Sequence, residues 1–499
     1  MSETDIKFIF DNFEMLTQKF EEHIYLQNDE NENRFKNNLK LIQLATKVNY
    51  ASLLNATEIL LHVLSPFYLE GLKNDIQKEK IDLSKECIAE KETPFGKIII
   101  GGTSPNYYRG SEDTAYEKPY EKDAAIIIDL GGDDYYANNA GSSTAKIPCA
   151  VVIDMEGNDV YESTRNFVQG TGFLGVGILL DKSGNDSYVG MRECQGTGFM
   201  GIGMLIDADG DDVYRSHAYA QGCGLWGAGI IIEIGGNDKY ESHIYAQGVG
   251  LPGGIGILSD ASGNDSYYSK GTYPTSYGTP GIYEGWSQGC GIGFREYASG
   301  GIGLVQDCGG IDRMEAGNFS QGGGYYFGWG LFESMGKDSD TYIGSRYAQG
   351  FSAHYALGTF FDEGGDDTYQ TRHAAVSGLA WDLCISWFED EGGNDSYQVE
   401  GFSVGASAHN AIAIFIDKAG KDKYVGNSEP ARASSNDYHG GISFSLFIDY
   451  GGDKDIYSKG KNNIITCSPE YGCFLDLPGS YENTSIEQII EKFSQKMAQ

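Results

Sequence analysis

What this chain has little of narrows it first. Nine cysteines fall at irregular spacing in 499 residues, an odd number that reads as buried thiols rather than a disulfide framework. Histidine is scarcer still, at eight. Cations number 36 against 71 acids, a net charge of -35, and no local run of Lys or Arg offsets it, which disfavours nucleic acid and anionic lipid as partners. No stretch approaches the ~18 consecutive apolar residues of a transmembrane span. The opening MSETDIKFIFDNF has neither the basic start nor the apolar centre of a secretory signal, so the expected location is cytoplasmic, with leaderless export left open.

Glycine and aromatic residues are what the chain has in quantity. Its 70 glycines show no three-residue period, which excludes collagen, and 34 Tyr with 24 Phe supply the apolar area that disordered chains lack. The first 95 residues carry very little glycine. There the segments Ile6 to Tyr25, Phe35 to Val48 and Ala56 to Lys73 space apolar residues by three and four, the pattern of helices. The chain thus divides into a helical N-terminal domain or cap (1–95), a repeat region (96–477) and a tail with a helix at about Thr484 to Met497 (478–499). These helical parts are expected to cover the open ends of whatever the repeat builds.

The repeat follows Asp-x-x-Gly-x-Asp-x-Tyr. Its first acid falls at Asp129, Asp154, Asp181, Asp207, Glu233, Asp260, Asp307, Glu333, Asp362, Asp390, Asp417 and Asp449, mostly 25 to 29 residues apart. The steps from Asp260 to Asp307 and from Asp417 to Asp449 are longer and hold insertions. A short apolar run precedes each acid, and in many copies Gln-Gly follows 14 or 15 residues later. About 27 residues is too short for a propeller blade but fits one solenoid coil. The expected fold is therefore mainly β, a right-handed parallel β-solenoid of about twelve coils, roughly 55 to 60 Å long at ~4.8 Å per coil.

Gly-Asn-Asp-x-Tyr, as at Gly236 to Tyr240 and Gly263 to Tyr267, resembles half of the calcium-binding nonapeptide of the repeats-in-toxin family, Gly-Gly-x-Gly-x-Asp-x-apolar-x. The likeness covers about eight residues per coil. The nine-residue tandem period is absent, an acid often replaces the leading Gly-Gly, and Tyr stands where Leu is usual. It implies Ca²⁺ at acid pairs such as Asp207 with Asp212, Asp260 with Asp265, Asp362 with Asp367 and Asp390 with Asp395, and at Asp238. The residues themselves leave a second reading open, in which each Asp caps backbone N–H groups of its own arc while the Tyr rings stack.

Three coils break the rule eight residues before their acid, placing His354, Asp382 and His409 in one row, whereas other coils have Phe199, Leu225, Ser299 and Tyr325 there. A carboxylate between imidazoles suits acid/base work, with Ser352 and Ser407, and His439 of the next coil, on the same strand face. The loop Val425 to Tyr438 is placed to cover this row; the alternative is a solvent-exposed polar ladder. A second row pairs His217 with His243, with Arg165, Met191 and Glu284 in its column; this is either a transition-metal site or plain duplication. Cys223 and Cys290 read as packing residues. The aromatic insertion Tyr267 to Trp286 offers a contact surface for a protein or carbohydrate, or packs on the rod's own flank. Two functions follow: a non-catalytic, calcium-stabilised scaffold presenting a long acidic face, or a hydrolase or lyase centred on His354, Asp382 and His409.

Overall fold

A computed structural model of the chain describes residues 1–22, 32–109, 124–137, 139–144, 146–433, 442–451, 454–468, 472–477 and 488. A coil such as 202–225 begins with an apolar strand, Ile202–Asp207, turns through a glycine arc into Val213–Arg215, and returns through Ala218–Ala220 and Gly224–Leu225. Successive coils pair in parallel without slip, Ile202 on Ala228 on Ile255 on Ile302. The fold is a parallel β-solenoid with a 16-stranded sheet along one side and a 13-stranded sheet along another. Thirteen full coils replace the twelve counted from the acids: the extra one at the start has a long-sheet strand ending in Gly101, not an acid, and past the last coil a fourteenth parallel strand, Gly472–Leu477, adds Asp476 to the acid row.

Among the described residues, an antiparallel strand closes each end of the long sheet. Strand β1 (Cys87–Thr93) runs antiparallel on β2 (Gly96–Gly101), and Ile465–Ser468 runs antiparallel on Gly472–Leu477. A disulfide between Cys467 and Cys473 crosses the second hairpin, so two of the nine cysteines are paired, against the all-thiol expectation. Among the others Cys194, Cys223, Cys290 and Cys384 are buried. The four helices described are α1 (Glu3–Glu22), α2 (Glu32–Ala45), α3 (Tyr50–Val63) and α4 (Pro66–Lys78), and they lie along the flanks. Phe13 of α1 packs on Phe167, Phe173 and Phe199 of two adjacent coils, while Leu53, Ala56 and Leu60 of α3 pack on the outer face of the long sheet. Amphipathicity reports that a helix buries one face; it does not say on which surface. The helix expected at 484–497 lies outside the described residues.

Strand alternation sends one row of side chains inward from each sheet. Leu205, Ile231, Leu258, Val305, Phe332 and Phe360 face the stacked rings of Tyr188, Tyr214, Tyr240 and Tyr267, all fully buried. Those rings lie 4.7 to 4.9 Å apart, one per coil. The arc glycine has a steric cause: a Cβ on Gly236, at φ 152°, would lie 1.4 Å from the carbonyl oxygen of Gly210 in the coil before. Gln-Gly has a polar one. Gln221, itself at φ 53°, turns its amide inward and donates to the carbonyls of Tyr214 and Glu241, each at 3.1 Å, where two coils leave their strands.

One acid was misassigned by counting. Ser334, not Glu333, pairs with Asp307 and Asp362, and Glu333 faces outward. A shift of one residue moves a strand side chain to the other face. The row of His354 is displaced too: Tyr326 is its counterpart rather than Tyr325 by the same slip, and Met200 and Trp226 rather than Phe199 and Leu225 because those coils hold one residue fewer between the turn and the acid.

Candidate metal centre

Each coil places two acids inside the solenoid. The first ends the long-sheet strand, as in Asp207, Glu233, Asp260, Asp307, Asp362 and Asp390; the second follows the arc glycine, as in Asp212, Asp238, Asp265, Asp312, Asp367 and Asp395. With Asp340 joining the second row, twelve acids stand in each, none more than 5% exposed. They do not form an acidic face. With these 24 set aside, 47 acids meet 36 cations, so the remaining balance is about -11 rather than -35.

The hydrogen bonding differs between the rows. Asp260 Oδ1 accepts the N–H of Ser262 at 3.3 Å, and its Oδ2 accepts the hydroxyls of Tyr240 at 2.8 Å and Tyr267 at 3.2 Å. Asp265 Oδ1 accepts the backbone N–H of Asp238, one coil back, at 2.6 Å, and Asp238 Oδ1 does the same for Asp212 at 2.7 Å. Capping of backbone groups is therefore real: the first row caps its own arc, while the second row caps the neighbouring coil and uses only half of each carboxylate. Oδ2 of Asp134, Asp159, Asp186, Asp212, Asp238, Asp265, Asp312, Asp367 and Asp395 is buried with no hydrogen-bond partner.

These second-row groups meet the first row closely. One oxygen each from Asp207, Asp212 and Glu233 lies within 4.8 Å of the others, as do those of Asp238, Asp260 and Asp265, and of Asp181, Asp186 and Asp207. Burial, with neighbouring carboxylates adding to it, pushes Asp238, Asp265 and Asp367 up to about 8, and Asp186, Asp312 and Asp395 up to about 10. Metal-free, such rows hold protons near neutral pH. Carboxylate pairs spaced at one coil rise, with oxygens unclaimed by any donor, are also a hard-cation donor set.

The His354 row exists in part. Residues 354, 382 and 409 occupy one turn position in three adjacent coils, all with positive φ. His354 Nδ1 meets Asp382 Oδ2 at 2.6 Å. The His409 ring stands edge-on to Trp381 at 4.7 Å. The serines do not join them: Ser352 donates to Cys384 Sγ at 3.0 Å and Ser407 bonds Ser445 at 2.8 Å, both inside the coil. The strand ends at Ala353, so the positive-φ turn voids the two-residue face rule. His439 and the end of the loop reaching Tyr438 lie outside the described residues.

His217 and His243 stack at 4.8 Å, but His217 Nε2 bonds the hydroxyl of Tyr273 at 2.7 Å and His243 Nδ1 bonds Thr272. Burial first, then the mutual repulsion, lowers His217. Glu284 turns instead to the N–H of Ser276 at 2.7 Å. The pair pins the insertion to the flank, where Arg346 also stacks on Tyr277 at 4.4 Å. Sequence reading missed one charge knot there. Lys270, Arg313 and Arg372, from separate coils, converge on Glu315, and although burial alone would raise its carboxyl, they hold it at about 2.

No family model matches the sequence, and no curated protein or solved structure matches it significantly.

Proposed function

We propose that the chain is a non-catalytic scaffold whose interior binds a file of calcium ions. The carrying observation is the row of buried Oδ2 atoms without donors, each facing first-row carboxylates. Two carboxylates per coil are neutralised by one divalent ion per coil, and the groups Asp207, Asp212 and Glu233, or Asp238, Asp260 and Asp265, are the residues that would hold it. Arc carbonyls are close enough in sequence to complete a hard-cation shell. The ion would supply charge balance, and the protein would gain stability by mass action, since the unfolded chain keeps no such sites.

A terbium titration tests this directly. The Tyr214 hydroxyl lies 2.5 Å from Glu233, so a lanthanide in the file would be sensitised by tyrosine light. Bound calcium by elemental analysis should approach one ion per acid pair, and calcium should quench the terbium signal. Absence of sensitised emission, of bound metal and of any melting shift after chelation would sink the reading.

The His354–Asp382 bond favours a second reading, an acid/base site on an enzyme. Against it stand the serines, which turn inward to Cys384 and Ser445. Its test is given with the predictions below.

A further inference from the structure

The outer face of the long sheet changes character part-way along the rod. In one strand column Val176 is 0% and Ile202 6% exposed, beneath α3 and α4. Tyr50, at the start of α3, donates to the carbonyl of Trp226 at 2.8 Å and marks where that cover stops. Beyond it the same column continues as Ile255, Ile302, Trp329, Leu357, Ile385 and Ile412, paired in register. Ile255 is 44% and Ile385 44% exposed. Beside this ladder a groove of about 530 Å³ is lined by Phe327, Tyr355 and Leu383 together with Ile302, Trp329 and Leu357.

The cover itself is unfinished. Helix α3, YASLLNATEILLHV, has a single carboxylate, Glu58, and carries large apolar side chains on its outer side as well as on its inner one. Leu53, Ala56 and Leu60 face the sheet, while Leu54 at 61% and Ile59 at 67% face out, and Phe67 at the start of α4 is 89% exposed. Large apolar side chains left exposed together on the helices and along the ladder mark an interaction site.

We infer that these two half-faces are one self-complementary interface, and that its occupant is a second copy of this chain. Among the described residues, the helices form a raised layer over one half of the face and leave the other half uncovered. A two-fold axis lying between two such faces, across the rods at the step, sets each α3 on the other copy's bare ladder. The lengths agree: 14 helical residues span about 21 Å, and five strands from Ile302 to Ile412 span about 19 Å. The seat is already used once, since α3 lies on the earlier part of this same column within its own chain. Two reciprocal contacts, each about 21 by 10 Å in footprint, cover about 840 Å² counted over both surfaces, the size of a weak, reversible interface. The arrangement is isologous and closes at two copies. Apart from Glu58 neither half carries a charge on its contact row, so the net acidity of the chain does not set the two surfaces against each other.

Sedimentation velocity of the full chain at micromolar concentration tests this. The parent protein should run as a dimer of twice its 54.3 kDa. Ile59→Glu on the helix and Ile385→Lys on the ladder should each weaken dimerisation by more than tenfold. Both side chains are exposed in the single chain, so melting of the monomer at low concentration should be unchanged. The double variant, which faces Glu with Lys at both reciprocal contacts, should recover the dimer. A parent protein that sediments at 54.3 kDa overturns the inference, and so does a dimer that survives both single substitutions.

Discussion

Asp238→Asn should stabilise the protein without calcium and destabilise it with calcium. Asp238 is 1% exposed, its Oδ1 accepts the N–H of Asp212, and its Oδ2 has no donor. Burial raises its carboxyl from 3.8 to about 8. In chelator at pH 7 the folded chain therefore keeps this proton while the unfolded chain has lost it. Where the folded state binds more protons, stability falls with rising pH, so this group is neutral below about pH 4 and costs increasingly towards pH 8. Roughly three pH units at ~1.4 kcal/mol each give about 4 kcal/mol at pH 7. Asparagine keeps the Oδ1 bond, has no proton to lose, and can donate to Asp260 or Asp265. For a cooperative unit this large, about 1 °C per kcal/mol translates the gain to roughly 3 to 5 °C in melting temperature.

Calcium reverses the sign. Replacing a charged ligand by an amide weakens a site by about tenfold to a hundredfold, a loss of about 1 to 3 kcal/mol at saturating ion. Differential scanning calorimetry of both proteins at pH 4 and pH 7, in chelator and in millimolar calcium, reads all four cases. The expected pattern is no difference at pH 4, a gain for Asn at pH 7 in chelator, and a loss at pH 7 in calcium. The same sign in both pH 7 conditions would refute the reasoning.

The parent protein in chelator should lose melting temperature steadily from pH 4 to pH 8, because Asp265 and Asp367 titrate as Asp238 does, and calcium should flatten that slope. Gly236→Ala should cost about 3 kcal/mol or more, since its Cβ meets backbone rather than a movable side chain; a melting loss under one degree would contradict the steric account. Gln221→Leu removes the donor from two buried carbonyls and should cost about 1 to 3 kcal/mol, measured by denaturant midpoint. Asp382→Asn should cost about 1 kcal/mol and change nothing else. A polymer-cleaving activity found in the parent protein and lost in that variant would favour the enzyme reading.

The period was legible because each coil must solve the same problem, closing an arc where only glycine fits and capping the N–H groups that the arc frees. Residue type repeated where backbone geometry repeated. Positive φ at Gln221, Tyr219 and Trp226 left no such trace, since those types are chosen for what their side chains do inside. The coil of Ser334 was misread because a hydroxyl stands for a carboxylate there, donating to Asp340 at 3.0 Å, and an acid one residue away drew the alignment off. Burial of the acids was the largest gap. Alternating aspartates look like a solvated face until the arc is known to fold them inward. The His354–Asp382 contact was read from offset alone, while the fate of the serines depended on a turn that offset does not encode.

The antiparallel hairpins at the two ends bear on size. Every parallel coil is a template for the next, so a bare end would accept the end of another molecule and the rods would grow head to tail without limit. β1 and Ile465–Ser468 present a reversed strand at each end of the long sheet, where a further coil would no longer pair in parallel. In-register growth of that sheet stops at these two strands, and the number of coils between them is a length written in the sequence. Evolution can lengthen such a ruler only by splicing whole turns into its middle, where each new turn brings its own pair of inner carboxylates and, with them, one more charge pair to balance.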